Sequence, residues 1–173
     1  MQISGISATP FFMQKITALL HTENDALRLG RCLECLYPCD EVLVVDHGSS
    51  DSTLHVAREY GARVVGAERG ALPSSYLRLA NAPWVLCLES RESLTESLAA
   101  SLYEWKSEDV PESARVPAFS MYLREETATG WVEHPTAQTR LIPSGWNRWQ
   151  GRLPANDPSA VSLEGEILRF VLP

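Results

Sequence analysis

At 173 residues, 45% hydrophobic and 21% charged, the chain has the make-up of one folded domain over residues 1–173 and too little length for two. Its net charge of −7 excludes a nonspecific grip on nucleic acid, which takes clustered lysine and arginine, but leaves room for a small cationic pocket. Met1 to Met13 lacks the basic start of an export signal and no apolar run approaches the ~20 residues of a membrane span, so the cytoplasm is the expected location.

Ile16 to Leu20 reads as a buried strand that ends at His21 and Thr22. Asp25 to Leu36 reads as a helix, with Thr22 or Asn24 as its N-cap. Glu41 to Val45 is a second strand, too continuously apolar to be half exposed, and it ends at Asp46. Gly48-Ser49-Ser50-Asp51 opens a helix over Ser52 to Tyr60, which Gly61 stops. Ala62 to Val65 is a third strand, and Pro73 opens a helix over Ser74 to Ala80. Trp84 to Leu88 is a fourth strand and Leu94 to Trp105 a fourth helix. Strand alternating with helix four times predicts crossover units and a mostly parallel, Rossmann-like sheet flanked by helices. Beyond Asp109 the style changes: Ala118 to Arg124, Ala137 to Ile142 and Glu166 to Val171 read as β, broken by glycine and proline. They are expected to extend the same sheet in antiparallel or mixed fashion, giving a half at about 15–109 and a sheet-extension half at about 110–173.

In such a sheet, ligands bind beyond the carboxyl ends of the strands. Those ends carry Thr22-Glu23-Asn24, Asp46-His47-Gly48-Ser49, Glu68-Arg69-Gly70 and Glu89-Ser90-Arg91-Glu92, a row of polar groups on one edge. Ser49 to Asp51 are read first as helix-capping residues, His47 as a solvated loop histidine and Arg69 as a surface arginine. Asp46 stands apart, because a carboxylate ending a buried strand needs a partner. Cys32 and Cys35 form a C-x-x-C without a second ligand pair at zinc spacing. Leu29, Cys32, Leu33 and Leu36 share one helix stripe, and the two cysteines are expected to be reduced, buried or half-buried thiols acting as small apolar residues.

Several segments, taken in order, resemble the inverting family 2 glycosyltransferases of the GT-A fold, especially those that build lipopolysaccharide and related cell-surface glycans. ITALLHTEND at 16–25 is similar to their opening strand and T-x-N-E turn, and RCLECL at 31–36 to the R-C-L-x-S-L helix. DEVLVVDHGSSDST at 40–53 resembles D-E-I-x-V-V-D-S-G-S-T-D-x-T. Gln138 to Ile142, with Gly145 and Arg148-Trp149, resembles a later R-L-F-x-x-G segment. The resemblance implies a nucleotide-diphospho-sugar donor of UDP type and a glycan or lipid-linked acceptor, reached without a transmembrane segment but with peripheral membrane contact. It implies nucleotide contacts from Thr22, Asn24, Asp46, Arg69, Glu89 and Arg91, and an acceptor side in the second half.

The family's L-D-A-D-E, whose aspartates hold Mn²⁺ or Mg²⁺ against the diphosphate, corresponds here to Leu88-Glu89-Ser90-Arg91-Glu92. Glu89 is a tolerable ligand, whereas Arg91 is a fixed cation that repels a metal ion. Where the family carries a His-Glu pair, this chain has Pro154-Ala155. Glu92, Glu133 and Asp157 are candidates for the base by chemistry alone. Two functions stay open: a divergent transferase in which Arg91 replaces the metal as a diphosphate clamp, or a pseudoenzyme serving as a nucleotide- or protein-binding, regulatory module. A metal site built from Glu89 and Glu92 is the least favoured.

Overall fold

The structure, a computed structural model, describes residues 13–109 and 115–172. Four strands, β1 (Ile16–Thr22), β2 (Glu41–Asp46), β3 (Arg63–Gly66) and β4 (Trp84–Glu89), lie parallel in the order β3-β2-β1-β4. Helices α1 (Ala26–Glu34), α2 (Thr53–Glu59) and α3 (Pro73–Leu77) connect them. The strands read as unbroken apolar runs because both faces are covered. Ile16, Ala18 and Leu20 pack with Leu29, Leu33 and Ala57 on one face; Leu19, Leu43 and Val85 pack with Tyr76 and Leu77 on the other.

The second half continues the sheet as expected, but with more pieces. Beyond β4 come β8 (Gln138–Pro143), antiparallel to it, then β6 (Phe119–Thr127), then β11 (Val161–Arg169), which runs parallel to β6. A short edge strand, β7 (Gly130–Glu133), pairs with β6, and β9 (Trp149–Gln150) with β10 (Leu153–Pro154) makes a separate ribbon. The sheet is therefore α/β in class, parallel in its first half and mixed in its second. Among the described residues no helix is long and apolar enough to cross a membrane.

One corner departs from the sequence expectation. Residues 92–94, expected to lead into or begin a helix, form β5 (Glu92–Leu94), which pairs with β11 at the far end of the sheet. The helix proper, α4 (Glu96–Ser107), starts only after Thr95, whose hydroxyl accepts from Leu98 N. From β4 to β5 the sheet path is β8, β6, β11, four spacings of ~4.8 Å if flat, or roughly 19 Å. Three residues of chain span only ~10 Å. The sheet must therefore curl until β5 faces back toward β4, and Glu92 sits inside that curl. Gly165 makes the neighbouring bulge in β11: its φ of +100° and the backbone of Leu98 directly against it leave no room for a side chain.

Helix boundaries also differ from expectation. The N-cap of α1 is Asp25, not Thr22 or Asn24. Thr22 is still the last residue of β1, and Asn24 adopts a left-handed φ of 49° that turns its amide toward the next loop. Cys32 is buried and Cys35 half-buried, and burial raises both thiols' pKa. They are free thiols within the packing of α1.

Candidate functional site

Parallel register brings the predicted strand ends together. Thr22 lies opposite Asp46, and His21 opposite Glu89. Asn24 stitches the first two loops: its side-chain oxygen accepts from Ser50 N at 2.7 Å and Asp51 N at 3.3 Å, while its own N–H donates to Ser49 Oγ at 2.9 Å. The N-cap of α2 is Ser52, not one of Ser49 to Asp51, and Asp51 just ahead of it accepts from Thr53 N at 2.9 Å. Asp46 accepts from Gly48 N and Ser49 N through Oδ2, at 3.1 and 3.0 Å. Its other oxygen, Oδ1, is buried with no partner, as are Thr22 Oγ1 and His21 Nε2. Each such orphan costs on the order of 1–3 kcal/mol, and three adjoin on two paired strands.

Two cavities open beside them. One, of ≈ 240 Å³, is bounded by Thr22, Arg28, Glu89, Arg91 and Arg152. The other, of ≈ 280 Å³, is bounded by His21, His47, Arg69, Pro73, Tyr76 and Arg152. His21 and Arg152 line both and so stand at their junction. Thr22, Arg69, Glu89 and Arg91 are thus brought around one crevice; Asp46 and Asn24 shape its floor and loops without lining either cavity. Larger hollows of ≈ 610 and ≈ 370 Å³ lie beside Glu41 and Trp84, where strands begin. They are at the opposite edge from the one where parallel sheets bind ligands.

The Glu89 corner does not fit a divalent cation. Glu89 Oε2 lies 3.4 Å from Arg91 Nε and 3.5 Å from Arg169 Nε, so two guanidiniums occupy the carboxylate that a metal would need. Ser90 donates to Asp25 at 2.9 Å. Among the described residues no three His, Cys, Asp or Glu side chains converge to hold a metal ion. Oxygen ligands in number are what Mn²⁺ or Mg²⁺ demands.

The three base candidates go elsewhere. Glu92 is 0% exposed and bidentate with Arg140, at 2.7 and 2.9 Å. It also accepts from Arg169 Nη2 at 2.8 Å and Glu89 N at 2.9 Å. Burial alone would raise its pKa, but the charge and hydrogen bonds of Arg140, with help from Glu89 N and Arg169, hold it low. With its lone pairs filled and its charge locked in, Glu92 is a structural anion, not a base or metal ligand. Glu133 is exposed on β7, 3.7 Å from Arg124, outside both cavities. Asp157 braces a turn: it accepts from Ser159 N at 2.8 Å, Ser159 Oγ at 2.5 Å and the Arg148 guanidinium. Those bonds, Ser159's foremost, pull its pKa down to about 2.

Sequence reasoning missed His21, His47 and Arg152. His21 Nδ1 lies 2.9 Å from His47 Nε2, and His47 Nδ1 lies 3.2 Å from Arg152 Nη2. Burial, then His47 and Arg152, lower the His21 pKa to about 4; burial and Arg152 lower His47 as well, against Glu23 and Asp46. The signal for His21 was its place one residue before Thr22 on β1. Nothing local marked Arg152, because the β9–β10 ribbon that carries it arrives from over a hundred residues away.

No family model matches the chain. An uncharacterized glycosyltransferase of Rickettsia prowazekii is 39% identical over 54 residues, 31% of this chain and 18% of that protein. A TPR repeat-containing protein of Synechococcus elongatus is 30% identical over 128 residues, 70% of this chain and 30% of that protein. The matched segments thus span less than a third of these relatives. Among solved structures, glucosyl-3-phosphoglycerate synthase from Mycobacterium tuberculosis, in complex with Mn²⁺, UDP and glucosyl-3-phosphoglycerate, is similar with a TM-score of 0.43 and 19% identity. That similarity covers 65% of this chain and 43% of the synthase. TarS of S. aureus is similar with a TM-score of 0.48 and 16% identity, over 77% of this chain and 29% of TarS. Over about a third of its length the chain is similar to uncharacterized glycosyltransferases of Rickettsia.

Proposed function

We propose that the crevice binds a nucleoside-diphosphate sugar of UDP type as donor for transfer to a glycan or lipid-linked acceptor, with arginines in place of a metal ion. One observation carries this: two residues with unpartnered buried polar atoms, His21 and Thr22, line cavities that bring Arg28, Arg69, Arg91 and Arg152 together beside Glu23, Asp25, Glu68 and Glu89, in a chain whose net charge is −7. A ligand with polar edges and an anionic centre would meet His21 and Thr22 with its edges and the arginines with its charge. Arg91 uses Nε on Glu89, which leaves its two terminal nitrogens without a hydrogen-bond partner among the described residues. A guanidinium so held offers a planar fork to phosphoryl oxygens. Glu89 would then orient Arg91, and Arg152, which lines the same cavity, would add a second cation.

The absence of a base facing the crevice, among the three candidates, favours a second function: nucleotide binding without turnover, as a regulatory module. Titration of UDP with and without Mn²⁺ tests the donor site. Affinity should change less than about twofold with Mn²⁺ and fall about tenfold in Arg91→Ala. Strong tightening by Mn²⁺ would sink the arginine clamp, and no nucleotide binding at all would sink the donor site itself. Release of UDP from a sugar nucleotide, measured in the same samples, separates the transferase from the binding module.

A further inference from the structure

We infer that Arg152, His47 and His21 form a one-directional hydrogen-bond chain that fixes His21 as a donor and makes it the residue that reads the base of the bound nucleotide. This rests on the nucleotide site proposed above. The direction comes from elimination. A guanidinium donates and cannot accept. At 3.2 Å from Arg152 Nη2, His47 Nδ1 must therefore be the unprotonated acceptor of a neutral ring, so the ring's proton sits on Nε2. That Nε2–H points at His21 Nδ1, 2.9 Å away, and can only donate there. His21 Nδ1 is thus an acceptor, and the neutral His21 ring carries its own proton on Nε2. Burial, which keeps both rings neutral near pH 7, is consistent with this. Nε2 is the nitrogen left buried without a partner. The chain ends in an N–H donor that nothing in the described protein accepts.

The surroundings say what should accept it. The ≈ 280 Å³ cavity sets apolar surface beside that ring: the Tyr76 ring stands 5.3 Å from the His21 ring at 86°, and Ala71 and Pro73 line the cavity along with Glu68, Arg69 and Gly70. Tyr76 is itself fixed, its hydroxyl accepting from Glu68 N at 2.9 Å. That apolar surface suits the ring of a base, whereas the neighbouring cavity, with Arg28 and Arg91, suits phosphate. Arg152 stands between the two, where a nucleoside would join them. A fixed N–H at the base end favours a carbonyl oxygen. Uracil presents one at ring position 4, where cytosine carries an amino group that can only donate. His21 should therefore select UDP over CDP.

Two measurements test this. In the native protein UDP should bind about tenfold or more tighter than CDP, because a mispaired donor in a buried slot is poorly tolerated. In His21→Phe, which keeps a flat ring and loses the N–H, the two should bind within about twofold of each other. Equal binding by the native protein, or a preference that survives His21→Phe, overturns the inference while leaving the nucleotide site intact. Failure of both nucleotides to bind overturns the site and the inference together. Independently of any ligand and any variant, ¹⁵N NMR of the native protein should find both histidines neutral at pH 7 and protonated on Nε2. An Nδ1-protonated His21 overturns the chain even if UDP binds.

Discussion

Two polar clusters flank Glu89 at the carboxyl end of β4 and are built on opposite rules. Around Glu92 every oxygen is filled: Arg140, 1% exposed, takes both, and Arg169 and Glu89 N add more. Around Thr22 and Asp46 the burial is similar, yet a hydroxyl, a carboxylate oxygen and an imidazole nitrogen are left unpaired. A buried charge that is fully paired is architecture, here the pin that holds a curled sheet closed. A buried polar atom without a partner is a cost to the folded state that a ligand can offset.

The largest expected effect falls on the filled cluster. Glu92→Ala strands two guanidiniums inside the curl and should destabilise by about 3–5 kcal/mol in denaturant unfolding. A loss under about 1 kcal/mol would show that the pair does not hold the corner. Next is pH. His21 has a pKa near 4 in the fold against 6.5 in the open chain, so the unfolded chain binds more protons between those values. Its contribution is fully present above about pH 6.5 and is lost as the pH falls toward 4, with an upper bound of about 3 kcal/mol. His21→Phe should flatten that part of the stability profile; an unchanged slope would mean that His21 is not buried neutral.

A matched pair of arginines sharpens the contrast further. Arg91→Ala should cost about tenfold in UDP affinity with stability nearly unchanged, because its side chain is exposed and, among the described residues, pairs only with half-exposed Glu89. Arg169→Ala should do the reverse, lowering the melting temperature through Glu92 before it touches affinity. If both substitutions behave alike, the division between pin and site is wrong. The smallest change is Thr22→Val. It removes an unpartnered hydroxyl and should leave stability within about 0.5 kcal/mol, or raise it slightly, while weakening nucleotide binding a few-fold.

Much of the site is legible along the chain because parallel strands deliver their carboxyl ends to one edge. Thr22, Asp46 and Glu89 each stand at the polar end of an apolar run, and register places them side by side. Glu92 misleads for the opposite reason. An acidic residue a few places beyond a strand end looks solvated until the curl of the sheet brings Arg140 and Arg169 onto it, from 48 and 77 residues away. β5 is invisible in the sequence because three residues carry no period.

The sequence by itself determined the alternation of strand and helix, the edge at which polar ends collect, and the placing of Arg91 just beyond the fourth strand. Those are local properties: period, capping residues and side-chain chemistry act over a few neighbours. Only the tertiary structure decided which carboxylates are occupied and which polar atoms are left open. It also decided that His21, in sequence no more than a strand end, is tied through His47 to Arg152. Pairing of that kind depends on which distant strands the curled sheet brings within hydrogen-bond reach, and no window of sequence contains both partners.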